Sequence, residues 1–148
     1  MTNTTNIRHI VLVEDSADDH DTVREAMHLF GLPTRLSRVS NGDECMALLL
    51  RQADGERPAL VLMDLNTVST DGRESLRLIK ADPMLQAIPV VIVTASANPR
   101  DVNFCYQCGA NAYHVKPVRY PEHLQMLAGL LKYWLVDVTT PTAPANSP

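Results

Sequence analysis

Four short apolar runs punctuate the chain, and each ends on a polar residue able to do chemistry. His9, Ile10, Val11, Leu12 and Val13 lead to Glu14 and Asp15; Ala59, Leu60, Val61, Leu62 and Met63 lead to Asp64. Val90, Val91, Ile92 and Val93 lead to Thr94; Ala112, Tyr113, His114 and Val115 lead to Lys116. None of these runs alternates apolar with polar residues. Unbroken Val, Ile and Leu suits strands buried on both faces, as in a parallel sheet covered by helices. In such sheets ligands sit at the carboxyl edge, so these strand ends predict one shared site.

Between the runs the period changes to that of helices. Ser16 is placed to cap a helix over residues 16–30 that Gly31 ends, with Val23, Met27 and Phe30 as its core stripe. A short strand over 36–39 follows. Asn41 and Gly42 then turn the chain into a second helix reaching Ala53, with Met46, Leu49 and Leu50 inward. Asp71 and Gly72 open a third helix, which carries Leu76 and Ile79 and stops at Asp82 and Pro83. Pro99 opens a fourth that reaches Gly109, and Pro121 a fifth that continues to about Leu135. Strand and helix alternate five times through short connections, which predicts an α/β domain with a doubly wound, five-stranded parallel sheet and five helices. We assign residues 7–136 to this domain and expect the Thr, Pro and Ala-dominated residues 137–148 to form a disordered tail.

Composition narrows the function. The 148 residues, 45% apolar and 20% charged, fit one ordinary domain. A net charge of -4 without a local basic cluster argues against nucleic-acid binding. Apolar runs far shorter than the roughly 20 residues of a membrane span, and a polar start unlike a signal peptide, point to the cytoplasm. Cys45, Cys105 and Cys108 are too few for a disulfide framework. Cys105 and Cys108 have redox or half-zinc-site spacing, but with no second pair they read as free thiols on a helix.

Carboxylates at Glu14, Asp15 and Asp64 in one partly desolvated cleft repel one another, and a hard divalent cation relieves this. Magnesium suits such a site because it prefers oxygen ligands and shares its sphere with phosphate. Lys116 supplies a point charge and Thr94 a donor for phosphate oxygens. The set fits phosphoryl transfer, with an aspartate as a possible nucleophile. Asp18, Asp19 and Asp21 read as a solvated helix start and are left out of the metal site.

Five segments in order and spacing then resemble the receiver domain of two-component response regulators: Val13-Glu14-Asp15-Ser16, Leu62-Met63-Asp64-Leu65-Asn66, Asp71-Gly72, Val93-Thr94-Ala95 and Lys116-Pro117. The resemblance implies a flavodoxin-like, CheY-like fold over roughly residues 7–135. It makes Asp64 the acceptor of a phosphoryl group from a sensor histidine kinase. Asp15 would bind Mg2+ directly, Glu14 through a metal-bound water, and Asn66 through its backbone carbonyl. Thr94 and Lys116 would grip the phosphoryl oxygens, Tyr113 would turn inward on activation, and Pro117 matches a proline that in the family commonly follows a cis peptide. The chain departs from the family after Asn66, where Thr67, Val68, Ser69 and Thr70 replace a common Leu-Pro turn at unchanged length.

Pulling Thr94 toward a phosphoryl group would make room for Tyr113 and remodel the surface around the fourth helix, fifth strand and fifth helix. On the last helix Leu124, Leu127, Ala128, Leu131 and Leu135 supply a core stripe, while Met126, Leu130, Tyr133 and Trp134 form a second apolar strip. With Phe104 and Tyr106 this strip is expected to serve a homodimer or a docking partner. The alternative is that Trp134 and Val136 fold back on the domain. No effector domain follows, so the sequence reads as a stand-alone regulator acting on a downstream protein target or a phosphotransfer protein. Its ending, Leu130-Leu131-Lys132-Tyr133-Trp134-Leu135-Val136, looks similar to single-domain regulators that partner bacterial phytochromes. Two other functions remain open at this point: a binding module that works without phosphorylation, and a haloacid-dehalogenase-like phosphohydrolase. The motif around Asp64 resembles the latter, although Asn66 stands where those enzymes carry a general acid.

Overall fold

The computed structural model describes residues 7–31, 33–52, 57–67 and 71–141. Strands β1 (Arg8–Val13), β2 (Thr34–Val39), β3 (Leu60–Met63), β4 (Val90–Thr94) and β5 (Ala112–Val115) alternate with helices α1 (Ala17–Phe30), α2 (Gly42–Arg51), α3 (Gly72–Ala81), α4 (Pro99–Gln107) and α5 (Tyr120–Lys132). The strands form one parallel sheet in the order β2-β1-β3-β4-β5. Because β1 lies inside the sheet, the chain winds outward to β2 and then crosses β1 to start β3. The reversal opens a crevice between the carboxyl ends of β1 and β3.

Non-alternating strands bury both faces, and each face carries its own core. Val11, Val13, Val61, Met63 and Ile92 face α2, α3 and α4, while Ile10, Leu12, Leu60, Leu62 and Val91 face α1 and α5. The predicted fold class is therefore observed, with helices on both sides of five parallel strands.

Helix ends follow local chemistry. Ser16, Asn41, Asp71 and Asn98 each accept a backbone N–H through their side chain at the start of α1, α2, α3 and α4. Gly31 closes α1 in the left-handed region at φ 80.

The helix faces differ from the predicted stripes in places. Leu49 is buried as predicted, but Leu50 is 60% exposed and Cys45 is buried in its place. With α2 starting at Gly42, Cys45 and Leu49 lie four apart on the sheet-facing side and Leu50 turns past it. In α1 the buried positions are Thr22, Val23 and Ala26, with Met27 and Phe30 half-buried at the edge. Ala53, the predicted end of α2, lies outside the described residues, and the helix ends at Arg51.

The largest correction concerns the last helix. Leu130 is 4% exposed and belongs to the core beneath α5, and Met126 and Trp134 pack half-buried against the same cluster. Contact between α1 and α5 covers the side on which the second apolar strip was expected. Tyr133 and Val136 remain exposed, at 51% and 50%. Beyond α5 the chain makes a π-helical turn, Tyr133–Asp137. Arg8 then donates to Leu135 O at 3.0 Å and to Thr140 Oγ1 at 2.8 Å, tying part of the expected tail to β1. Residues 142–148 lie outside the described residues.

Candidate functional site

Strand register sets the site. Val13 pairs with Met63, Met63 with Ile92 and Thr94 with Val115, so the residues at the ends of four strands emerge along one edge. Glu14 follows β1, Asp64 follows β3, Thr94 closes β4 and Lys116 follows β5.

Lys116 is the hub. Its Nζ lies 2.7 Å from Glu14 Oε1, 2.6 Å from Asp19 Oδ2 and 2.7 Å from Asp64 Oδ2. The other Asp64 oxygen, Oδ1, accepts from Thr94 Oγ1 at 2.8 Å and from the Asn66 backbone N–H at 3.0 Å. Glu14 Oε2 accepts from the Ser16 N–H at 3.2 Å. Thr94 is fully buried and Asp64 is 8% exposed.

These contacts determine the charge states. Burial pushes the Glu14 carboxyl up to about 7, although the Lys116 ammonium beside it pulls the other way. Burial also opposes charge on Lys116, but its hydrogen bonds to Asp19, Asp64 and Glu14 outweigh that and hold it above the usual lysine range. Three carboxylates around one ammonium leave an excess of negative charge, which favours binding a further cation.

The donor set is all oxygen, which is the chemistry a hard divalent cation requires. Among the described residues, Glu14, Asp19 and Asp64 offer oxygens within 4.8 Å of one another. The sequence reading set Asp19 aside as solvated helix surface, whereas the structure pairs its carboxylate with Lys116 at 2.6 Å. Asp15, expected as the direct ligand, lies half-buried beside the cluster but outside that group, and its carbonyl accepts from Arg38 Nη2 at 3.1 Å. The signal for Asp19 was present in the sequence. Ser16 caps α1 by accepting the Asp19 N–H at 3.2 Å, so Asp19 sits in the helix turn nearest the end of β1.

Tyr113 is half-buried, and its hydroxyl donates to Ser96 O at 2.8 Å, tying β5 to the β4–α4 loop. Its backbone N–H donates to Tyr106 Oη at 3.1 Å. Ser96 Oγ donates to Asp101 Oδ2 at 2.6 Å, and Arg73 Nε donates to Asp101 Oδ1 at 2.8 Å. The loop after Thr94 is thereby tied to both α4 and α3, through partners too far apart along the chain for local pattern to pair. No cis peptide occurs among the described residues, so the bond before Pro117 is trans. Asn66 forms a bridge with Asp71, and Gly72 N–H donates to Leu65 O at 3.2 Å. Val68, Ser69 and Thr70 lie outside the described residues. All three cysteines are free, and burial pushes the Cys105 thiol up to about 11, which fits inert packing.

A doubly wound sheet with a carboxylate, a hydroxyl and an ammonium converging at its switch point defines a phosphoacceptor signalling domain. Residues 10–128 match the response regulator receiver domain, and the chain belongs to that family. Among its relatives is the response regulator Rcp1 of Synechocystis sp., 39% identical over 137 residues that cover 90% of this chain and 93% of Rcp1. The crystal structure of the phosphorylated cyanobacterial phytochrome response regulator RcpA superposes with a TM-score of 0.87 at 35% identity, covering 92% of this chain and 99% of that one. The Mn2+-bound form of Rcp1 gives 0.85 at 38% identity, covering 91% and 99%. The family matched is the receiver domain, not the haloacid-dehalogenase-like phosphohydrolases that the motif around Asp64 also resembled.

Proposed function

We propose that Asp64 accepts a phosphoryl group from the phosphohistidine of a sensor histidine kinase. The carrying observation is that both Asp64 oxygens are held at a strand end by groups suited to a phosphoryl anion, Thr94 Oγ1 on one side and Lys116 Nζ on the other. An Asp64 oxygen forms a bond to phosphorus while the bond to the histidine nitrogen breaks and the imidazole keeps the electron pair. The Thr94 hydroxyl and Lys116 ammonium then follow the charge to the phosphoryl oxygens.

Glu14, Asp15, Asp64 and the Asn66 backbone carbonyl are the residues we assign to Mg2+. When bound, the ion supplies positive charge to the carboxylates and the transferring group. The protein is read as a signalling switch that also loses its phosphate by self-catalysed hydrolysis, and as a cytoplasmic protein that binds neither nucleic acid nor membrane. The likeness to Rcp1 and RcpA supports a bacterial phytochrome as the kinase. Output runs through Tyr113 to a downstream protein or phosphotransfer partner. A homodimer through exposed Phe104, Tyr106, Tyr133 and Val136 is the form we assign to that surface.

Radiolabel transfer from an autophosphorylated phytochrome kinase tests the phosphoacceptor. Wild type takes label in the presence of Mg2+, and Asp64→Asn takes none; equal labelling of both removes Asp64 from this role. Sedimentation of wild type against Tyr133→Glu combined with Val136→Glu tests the dimer, and an unchanged mass rejects it.

A further inference from the structure

An ammonium has three N–H donors, and Lys116 spends all three on carboxylates. Phosphorylation turns the Asp64 carboxylate into the uncharged acyl end of an acyl phosphate, so its own contact with Lys116 opens, and a second donor reaches the phosphoryl oxygens only if another carboxylate lets go. The other two partners are not equally easy to leave. The Glu14 side chain is 4% exposed and hangs from a strand end, so freeing it leaves a buried carboxyl without its partner. Asp19 is 31% exposed and hangs from the first turn of α1, so its carboxylate can turn into water at small cost.

We infer that Asp19 is the displaceable partner of Lys116, a positioning residue that holds the ammonium in the resting pocket and governs how readily it reaches an incoming phosphoryl group. The inference rests on Asp64 being the phosphoacceptor. Asp19 acts in two ways, both of which slow phosphorylation. It occupies a donor that the phosphoryl group needs, and its negative charge repels a phosphodonor anion. The same two effects shorten the life of the phosphorylated state, because Asp19 competes for Lys116 there as well. Its backbone N–H, which caps α1 through Ser16, is untouched by side-chain substitution.

Acetyl phosphate, used as the phosphodonor for the full chain across a Mg2+ titration, tests this without a kinase. In that reaction an Asp64 oxygen bonds to phosphorus, the bond from phosphorus to the acetate oxygen breaks, and acetate leaves with the electron pair. Phosphorylated protein is counted by intact mass, and Mg2+ affinity is measured separately by calorimetry with no phosphodonor present. Asp19→Asn and Asp19→Ser should each raise the rate at saturating Mg2+ by about three- to tenfold and lengthen the phosphate lifetime, the scale expected for removing one partly exposed charge at this range. Asp19→Glu restores the carboxylate and should stay within about twofold of wild type, and Mg2+ affinity should change by less than about threefold in all of these variants. Asp18→Asn, an equal change of charge on the exposed side of the same turn, should match wild type.

A rate in Asp19→Asn and Asp19→Ser equal to or below wild type overturns the inference, as does an equal gain in Asp18→Asn. Slower labelling with a large loss of Mg2+ affinity also overturns it, because Asp19 is then a metal ligand. Asp64→Asn, run in parallel, separates the two levels: label persisting there defeats the phosphoacceptor reading, whereas its loss with an unaltered Asp19→Asn defeats only the role of Asp19.

Discussion

Replacing Lys116 with methionine keeps an unbranched stem of similar length and removes the one charge that Glu14, Asp19 and Asp64 share. The cost follows from burial. Removing one partner of a buried ion pair typically destabilises by about 3–5 kcal/mol, because the other charge stays buried and unpaired. Glu14 and Asp64 are both in that position, while Asp19, 31% exposed, adds little. Two losses of this kind do not add, because Glu14 has an escape. Burial already holds its carboxyl up at about 7, and without the ammonium it rises further and takes a proton. The expected loss is therefore about 3–4 kcal/mol at pH 8, falling by roughly half at pH 5.5, where Glu14 is neutral. Urea denaturation in chelator-treated buffer measures it, read by the fluorescence of Trp134, the chain's single tryptophan, which packs against the core under α5. A loss below about 1 kcal/mol at pH 8, or the same loss at both pH values, would show that Lys116 does not neutralise buried charge at Glu14 and Asp64.

Other expectations concern the pocket and its supports. Since the folded Glu14 carboxyl titrates near 7 and its unfolded one near 4.5, the native state binds the extra proton between those values, so metal-free wild type should lose on the order of 2 kcal/mol from pH 5.5 to 7.5. Glu14→Gln should flatten that slope, and an unchanged slope would place the titrating group elsewhere. Gly72→Ala would set a Cβ 2.8 Å from Leu65 Cα and 2.9 Å from Asp64 O, both backbone. It should cost about 1–3 kcal/mol in a thermal melt and slow phosphorylation by moving the segment that carries Asp64. Arg8→Ala releases Leu135 O and Thr140 Oγ1, and should cost about 1 kcal/mol and speed hydrogen exchange at the Val138 amide, which bonds to Tyr133 O; unaltered exchange there would show that the clamp does not hold this segment.

The strands and the edge they share were legible from residue order. Ile10, Val11, Leu12 and Val13 carry no alternation because helices cover both faces, and side-chain burial of that kind writes itself directly into a run of apolar residues. The placement of Glu14, Asp64, Thr94 and Lys116 at strand ends was legible for the same reason, since parallel strands deliver their carboxyl ends to one side. Helix caps were legible too, because Ser16, Asn41 and Asp71 act on backbone groups two or three positions away.

Tertiary structure decided what depends on neighbours distant in the chain. Leu130 reads as surface or core equally well on a helix with apolar residues on several sides, and only the packing of α1 against α5 buries it. Asp19 reads as a solvated acid until Lys116, 97 positions further on, comes within 2.6 Å of it. Sequence by itself fixes elements and the groups at their ends, since hydrogen bonding and periodicity act over a few residues. The partners of those groups, their charge states and the faces left in water follow from how five helices close over one sheet.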